Sequence, residues 1–265
     1  MKKMMIAAGA GVLALCSMAP ADALSLLYQD ADEKTPPPPE EAEVAGPWYF
    51  AAAVGGSFAL NAELKDDLEG SQFRFRPGLG VNFGFGYAFN KTFALEVRSG
   101  VLWNNIRNID DNTAYAINAA GATATLNAGG GDLYQVPLMA NLVVRIPITE
   151  KFSIGLVGGL GMQWTHFTAH DINVESAGVK LGTVEFDKNG VAFRYNFGLQ
   201  FNHQITHNIK MGGGVLFSGS TAVNIGPGTF TSSPGGPFAS GTGIDDQKLK
   251  YIMNFSMGFG VSVAF

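Results

Sequence analysis

The chain has 265 residues, enough for one large domain or two small ones, with 15% charged residues, 35 glycines and 20 phenylalanines. That composition is a poor match to a soluble enzyme, and a net charge of −5 without a basic cluster argues against nucleic-acid binding. Mean hydropathy is +0.13, yet no run of about 18 apolar residues follows the amino-terminal segment, which leaves a closed β-barrel as the membrane option.

Lys2 and Lys3, the apolar stretch from Met4 to Ala14 and the A-x-A triplet Ala21-Asp22-Ala23 read as a signal peptide over residues 1–23. Cys16, the only cysteine, lies within it behind Leu15, which is not the small residue a lipoprotein site needs. Without cysteine the mature chain has no disulfide and no thiolate metal site. Neither a cofactor nor a metal is expected. Residues 24–47 carry Asp30, Asp32, Glu33, four prolines at 36–39, Glu40, Glu41 and Glu43. Stiff prolines and repelling carboxylates make this a solvated, extended segment, predicted to be periplasmic.

From Trp48 the period is two. The first strand, Trp48 to Leu60, puts Trp48, Phe50, Ala52, Val54, Phe58 and Leu60 on one face. In the second, Leu79, Val81, Phe83, Phe85, Tyr87 and Phe89 alternate with glycines, Asn82 and Ala88, which no helix does. Strands three to seven are expected at 93–105, 133–148, 152–165, 191–204 and 209–218, and the eighth begins near Lys248. Pro137 and Pro147 predict bulges or strand ends in the fourth. In the last, Tyr251, Met253, Phe255, Met257, Phe259, Val261, Val263 and Phe265 alternate with small or polar residues. Three connections are tight, near 90–92, 149–151 and 205–208. Four are long, roughly 61–76, 106–132, 166–190 and 219–247, and two of these are low in complexity and read as mobile loops. The pattern predicts an all-β fold: an eight-stranded antiparallel up-and-down transmembrane β-barrel over residues 48–265. Trp48, Phe89, Phe93, Phe152, Phe201 and Phe265 sort to the short-turn end, and Trp103, Tyr134, Trp164, Phe193 and Tyr251 to the other, as two interfacial girdles.

These features resemble the small eight-stranded outer-membrane barrels of Gram-negative bacteria, the OmpA-like and porin-family surface proteins. The terminal run Phe259, Val261, Val263, Phe265 resembles the assembly signal read by the barrel-assembly machinery. The resemblance implies an outer-membrane location, contact with outer-membrane lipid and lipopolysaccharide, and a host or surface ligand for the long loops. The family's peptidoglycan-binding domain would follow the barrel, and none is expected here.

The inward charges are Glu96, Arg98, Arg145, Arg194 and Lys210. An unpaired charge in a narrow lumen is costly, so Glu96 is expected to pair with Arg98 or Arg145. The group reads as a polar plug rather than a gate, because eight strands enclose little more than their own side chains. His203 and His207 flank a turn and should be solvated. His166 and His170, with Asp171 and Glu175 nearby, could serve a lipid-modifying enzyme with Ser218 or Ser220, but an interfacial loop role fits better. Asp110-Asp111 and Asp245-Asp246 read as solvated loop charge. The functional expectation is a non-enzymatic barrel with a structural and surface-interaction role in the envelope. A narrow channel or carrier for small solutes is the first alternative, and a lipid-modifying enzyme the second.

Overall fold

Residues whose side chains alternate between two solvents are wound into a wall with those solvents on its two sides. The computed structural model describes residues 46–65, 71–110, 115–117, 122–127, 129–234 and 243–265. The signal peptide, nearly all of the acidic segment, Asp111 and much of 113–131 lie outside the described residues. Fourteen strands follow in chain order: β1 (Trp48–Ala59), β2 (Ala62–Lys65), β3 (Gln72–Phe75), β4 (Gly78–Ala88), β5 (Phe93–Asp110), β6 (Tyr115–Ile117), β7 (Ala122–Asn127), β8 (Gly130–Pro147), β9 (Phe152–Ser176), β10 (Val179–Gln204), β11 (Ile209–Ser220), β12 (Val223–Ser232), β13 (Gly243–Leu249) and β14 (Met253–Ala264).

Eight of them close a ring in the order β1–β4–β5–β8–β9–β10–β11–β14, and β14 pairs back to β1. Every neighbour is antiparallel, and closure of β14 on β1 leaves the ring no free edge. The seam runs in register from Tyr49↔Ala264 to Ala59↔Asn254, and the Phe265 amide donates to the Trp48 carbonyl at 3.0 Å. The three tight turns share one device. Asn90 Oδ1 accepts from the Thr92 and Phe93 amides at 2.8 and 2.7 Å, and Thr149 and Thr206 hydroxyls accept from Phe152 and Ile209 at 3.0 and 3.1 Å.

The first, third and fourth long connections carry strands over most of their described residues, and the described part of the fourth is a strand rather than the mobile loop expected there. β2, β3, β12 and β13 continue β1, β4, β11 and β14 past short breaks and keep the same neighbours, with β3 on β5, β2 between β3 and β13, and β12 on β10. The third connection is a β9–β10 hairpin of two strands 25 and 26 residues long. The wall therefore rises as a second tier. Pro137 also departs from expectation. It lies inside β8 without a register shift, and the β5–β8 ladder simply skips it, lacking the N–H to fill that rung. Pro147 ends its strand.

Two bulges in this tier exchange the faces of the wall. His170 and Asp171 on β9 together oppose the single Glu185 on β10, and Asp171 takes a left-handed φ of 57°. Before the bulge Phe167 and Ala169 point inward; after it Ile172 and Val174 do, so Asp171 and Glu175 are carried out to solvent. An extra residue at Arg107 on β5 does the same, turning inward first Ile106 and then Ile109. The tier's interior is consequently packed with apolar side chains, among them Leu64, Phe73, Leu133, Val184, Phe186, Ile225 and Leu249. Phe73 and Phe167 meet edge to face at 4.9 Å.

Candidate functional site

Below the tier the side chains are disposed the other way. Phe50, Val54, Phe83, Phe85, Val97, Leu142, Leu160, Phe197, Phe259 and Val261 all stand outside and exposed, forming an apolar belt around the ring. Trp103, Tyr134 and His166 are register partners on β5, β8 and β9 at its upper edge. Their rings lie nearly parallel, with centroids 6.2 and 6.3 Å apart. The Trp103 Nε1–H donates to Asp132 at 2.8 Å, which leaves the ring in the apolar layer and its polar atom in the wet one. Trp48, Phe89, Phe93 and Phe265 are exposed at the turn end and make the opposite girdle.

Inside the belt the lumen has a floor and a roof. Near the turn end Glu96, 2% exposed, receives Arg98 at 2.6 Å and the Tyr49 hydroxyl at 3.3 Å. Arg145 reaches across to stack its guanidinium 4.8 Å from the Tyr49 ring centre. Two glycines on β4 make room for this group. A Cβ on Gly84 would lie 2.9 Å from the Glu96 carboxyl, and one on Gly86 would collide with the Tyr49 ring. Of the two pairings expected for Glu96, the one with Arg98 forms. Lys210 stands on β11, half-buried and facing the same space as Arg145.

Arg194 belongs to the roof, 3% exposed beneath the apolar tier. Its guanidinium donates to Gln135 at 3.0 Å, to Gln163, and to the Ser218 hydroxyl at 2.6 Å. Gln135 also accepts from Asn254 at 2.8 Å, and Gln163 donates to Thr165 at 2.8 Å. Neutral amides and hydroxyls thus surround the cation, and above them the interior is dry. Sequence reading found Arg194 and put Gln135 and Asn254 on inward parities, but it joined none of Gln135, Gln163 and Asn254 to Arg194, since alternation gives a face and not a partner across the lumen.

The residues considered for catalysis are not brought together. Ser218 serves Arg194, and Ser220 accepts from the Ile252 amide at 3.3 Å inside the wall. His166 bonds Asn189 at 3.0 Å, and His170 bonds Asp171 at 2.9 Å, both on the outer surface. His203 and His207 are exposed at the turn end, as expected. Asp246 is exposed; the side chains of Asp110 and Asp245 lie outside those described. Phe259, Val261, Val263 and Phe265 all face out into the belt.

A closed, even-numbered antiparallel ring with an apolar exterior, two aromatic girdles, short turns at one end and extended structure at the other defines an outer-membrane β-barrel. No protein-family model and no curated protein matches the chain. Among solved structures the chain is similar to the outer membrane protein OprG of Pseudomonas aeruginosa, at 15% identity and a TM-score of 0.46, covering 83% of this chain and 97% of that one. It is also similar to a major outer membrane protein of Thermus thermophilus, at 9% identity and a TM-score of 0.47, covering 81% and 99%. A third is Ail, the attachment invasion locus protein of Yersinia pestis, at 15% identity and a TM-score of 0.35, covering 81% and 97%.

Proposed function

We propose that this barrel is a non-conducting, non-enzymatic element of the outer membrane that holds a rigid β-platform above the lipid for surface interaction. The observation that carries the reading is the apolar core filling the tier, in which Phe73, Phe167, Ile172 and Leu249 are fully buried directly above the Arg194 roof. An ion crossing the barrel would have to pass through hydrocarbon-like packing, which a charge avoids by several kcal/mol. The same strands that bury this core turn His170, Asp171, Lys180, Glu185 and Asp187 outward on a continuous hydrogen-bonded wall. Such a surface suits a polar partner, whether saccharide headgroups of neighbouring lipopolysaccharide or a protein from outside. The catalytic alternative is disfavoured because both candidate serines hydrogen-bond inside the wall while both candidate histidines lie outside it.

The test is single-molecule recording in a planar bilayer. Purified, folded barrel is expected to give no steps above the bare membrane at up to 100 mV in ordinary salt (an applied voltage of about this size is worth about 2.3 kcal/mol per charge). Reproducible unitary steps would sink the closed reading and restore the narrow channel.

A further inference from the structure

The lumen beneath the roof contains a cavity of about 160 Å³, and its charged lining is unbalanced. Glu96 is the one carboxylate among the described residues that line it, against Arg98, Arg145, Arg194 and Lys210. That carboxylate is already committed to Arg98 and Tyr49. Arg194 is held in the roof by neutral groups. Arg145 and Lys210 therefore remain as two like charges facing one space inside a chain whose overall charge is −5. Within a barrel wall of low polarity such a pair of like charges is unfavourable until something neutralises it.

The walls of the cavity say how large the neutralising group is and where it enters. On β14, β1 and β11 most inward positions are small, among them Gly258, Gly260, Ser262, Ala53, Gly212 and Gly214, with Tyr49, Lys210 and Leu216 the large exceptions. The small positions leave open the half of the lumen opposite β5 and β8. Inward residues on β14 and β11 are half-buried from the turn end upward and become buried at Asn254 and Ser218, while on β1 Ala51, Ala53 and Gly55 are half-buried between a buried Tyr49 and a buried Ser57. Access is thus from the turn end, which the barrel class assigns to the periplasm. Pockets for drug-sized ligands measure roughly 300–1,000 Å³, so this one admits only a small solute. It is polar at depth as well: Asn196 Oδ1, in the cavity wall below Arg194, has no hydrogen-bond partner among the described residues. An unpaired acceptor at that depth sets the cavity apart from the dry tier above.

We propose that the periplasmic half of the lumen is a blind binding cup for a small oxoanion, a phosphate or short carboxylate, held between Arg145 and Lys210. Arg145 offers a planar fork of donors matched to two oxygens of such a group, and Lys210 a rotatable point charge on its other side. Glu96 is a positioning residue: by engaging Arg98 and Tyr49 it holds the ring on which the Arg145 guanidinium rests. The cup is a site distinct from the outward platform and does not depend on the platform's partner.

The experiment is calorimetric titration of the full folded barrel in detergent micelles, with inorganic phosphate in one arm and succinate in the other, both against chloride at matched ionic strength. Saturable binding of at least one probe is expected, and the arm that binds more tightly identifies the phosphate or the carboxylate source. Arg145→Gln and Lys210→Gln should each weaken it about tenfold, the scale of one lost charge-assisted hydrogen bond, and the double variant should abolish it. Binding that chloride matches, or that the double variant keeps, would overturn the proposal. Should the variants fail to fold, the wild-type barrel decides alone: a bound anion slows its unfolding in urea with a saturating dependence on phosphate or succinate. A rate indifferent to both would overturn the cup as well.

Discussion

Phe259 and Phe167 sit on strands of the same ring, yet Phe259 is 79% exposed and Phe167 is wholly buried. The difference is one of medium. In the belt the outside is hydrocarbon and the inside is wet, so large apolar side chains turn out while Gly, Ala, Ser and the charged groups line the lumen. In the tier the outside is water, and the same wall buries its apolar side chains inward as a soluble β-protein does. The changeover occurs within single strands. Along β9, Leu160, Met162 and Trp164 face lipid, and Phe167, Ala169, Ile172 and Val174 face the core, a few residues further on. One continuous hydrogen-bonded ladder serves both solvents because the ladder itself uses only backbone groups.

The largest way to break this contrast is to place a charge in the tier core. Phe167→Asp removes a packed ring, worth about 3–5 kcal/mol for truncation alone, and leaves a carboxylate without a partner. The tier should open while the ring below stays closed. Hydrogen exchange would read this as lost protection over residues 166–190 with residues 152–163 unchanged. Loss of protection in both segments alike would mean that the two storeys fold as one unit.

A matched pair of surface substitutions sharpens the contrast of media. Phe259 and Val179 are both strongly exposed, at 79% and 62%. Phe259→Arg puts a charge on the lipid face in the middle of β14, at a cost of about 2–4 kcal/mol near the bilayer midplane. Val179→Arg, at the tip of the β9–β10 hairpin, should stay within about 0.5 kcal/mol. Urea unfolding from lipid vesicles measures both, and equal costs would put the membrane boundary in the wrong place.

The smallest effect concerns the bulge that exchanges the faces. Asp171 holds φ at 57°, where a β-branched side chain is strained by about 1–2 kcal/mol. Asp171→Val should cost roughly that much in the same unfolding assay, whereas Asp171→Gly should be close to neutral. A neutral valine would mean the bulge can shift along β9 without loss.

The belt was legible residue by residue. Alternation such as Leu79-Gly80-Val81-Asn82-Phe83 is a local property of an extended chain, and it located the eight ring strands, their turn-side ends, the tight turns and the inward charges, while β5, β9 and β10 run 5, 11 and 12 residues further on the loop side than expected. The tier was not legible, for two reasons. Its bulges at Arg107 and at His170-Asp171 interrupt the period of two, so Ile106 with Ile109, and Ala169 with Ile172, look aperiodic when read in line. Low-complexity stretches such as Thr221 to Ser233 carry too few large side chains to announce a strand, yet Val223, Ile225 and Phe230 from this stretch belong to the core. The described part of this stretch is a strand paired to β10 and β13 despite its composition.

What the sequence determined by itself is the period, the eight strands of the ring and the sorting of aromatics, all properties that neighbours along the chain decide. The tertiary structure alone decided which face is inside above the belt, that Glu96 takes Arg98 and Tyr49, and that Gln135, Gln163 and Ser218 gather around Arg194. These depend on residues far apart in sequence that only ring closure brings together, in a space whose polarity is set by what the whole wall excludes.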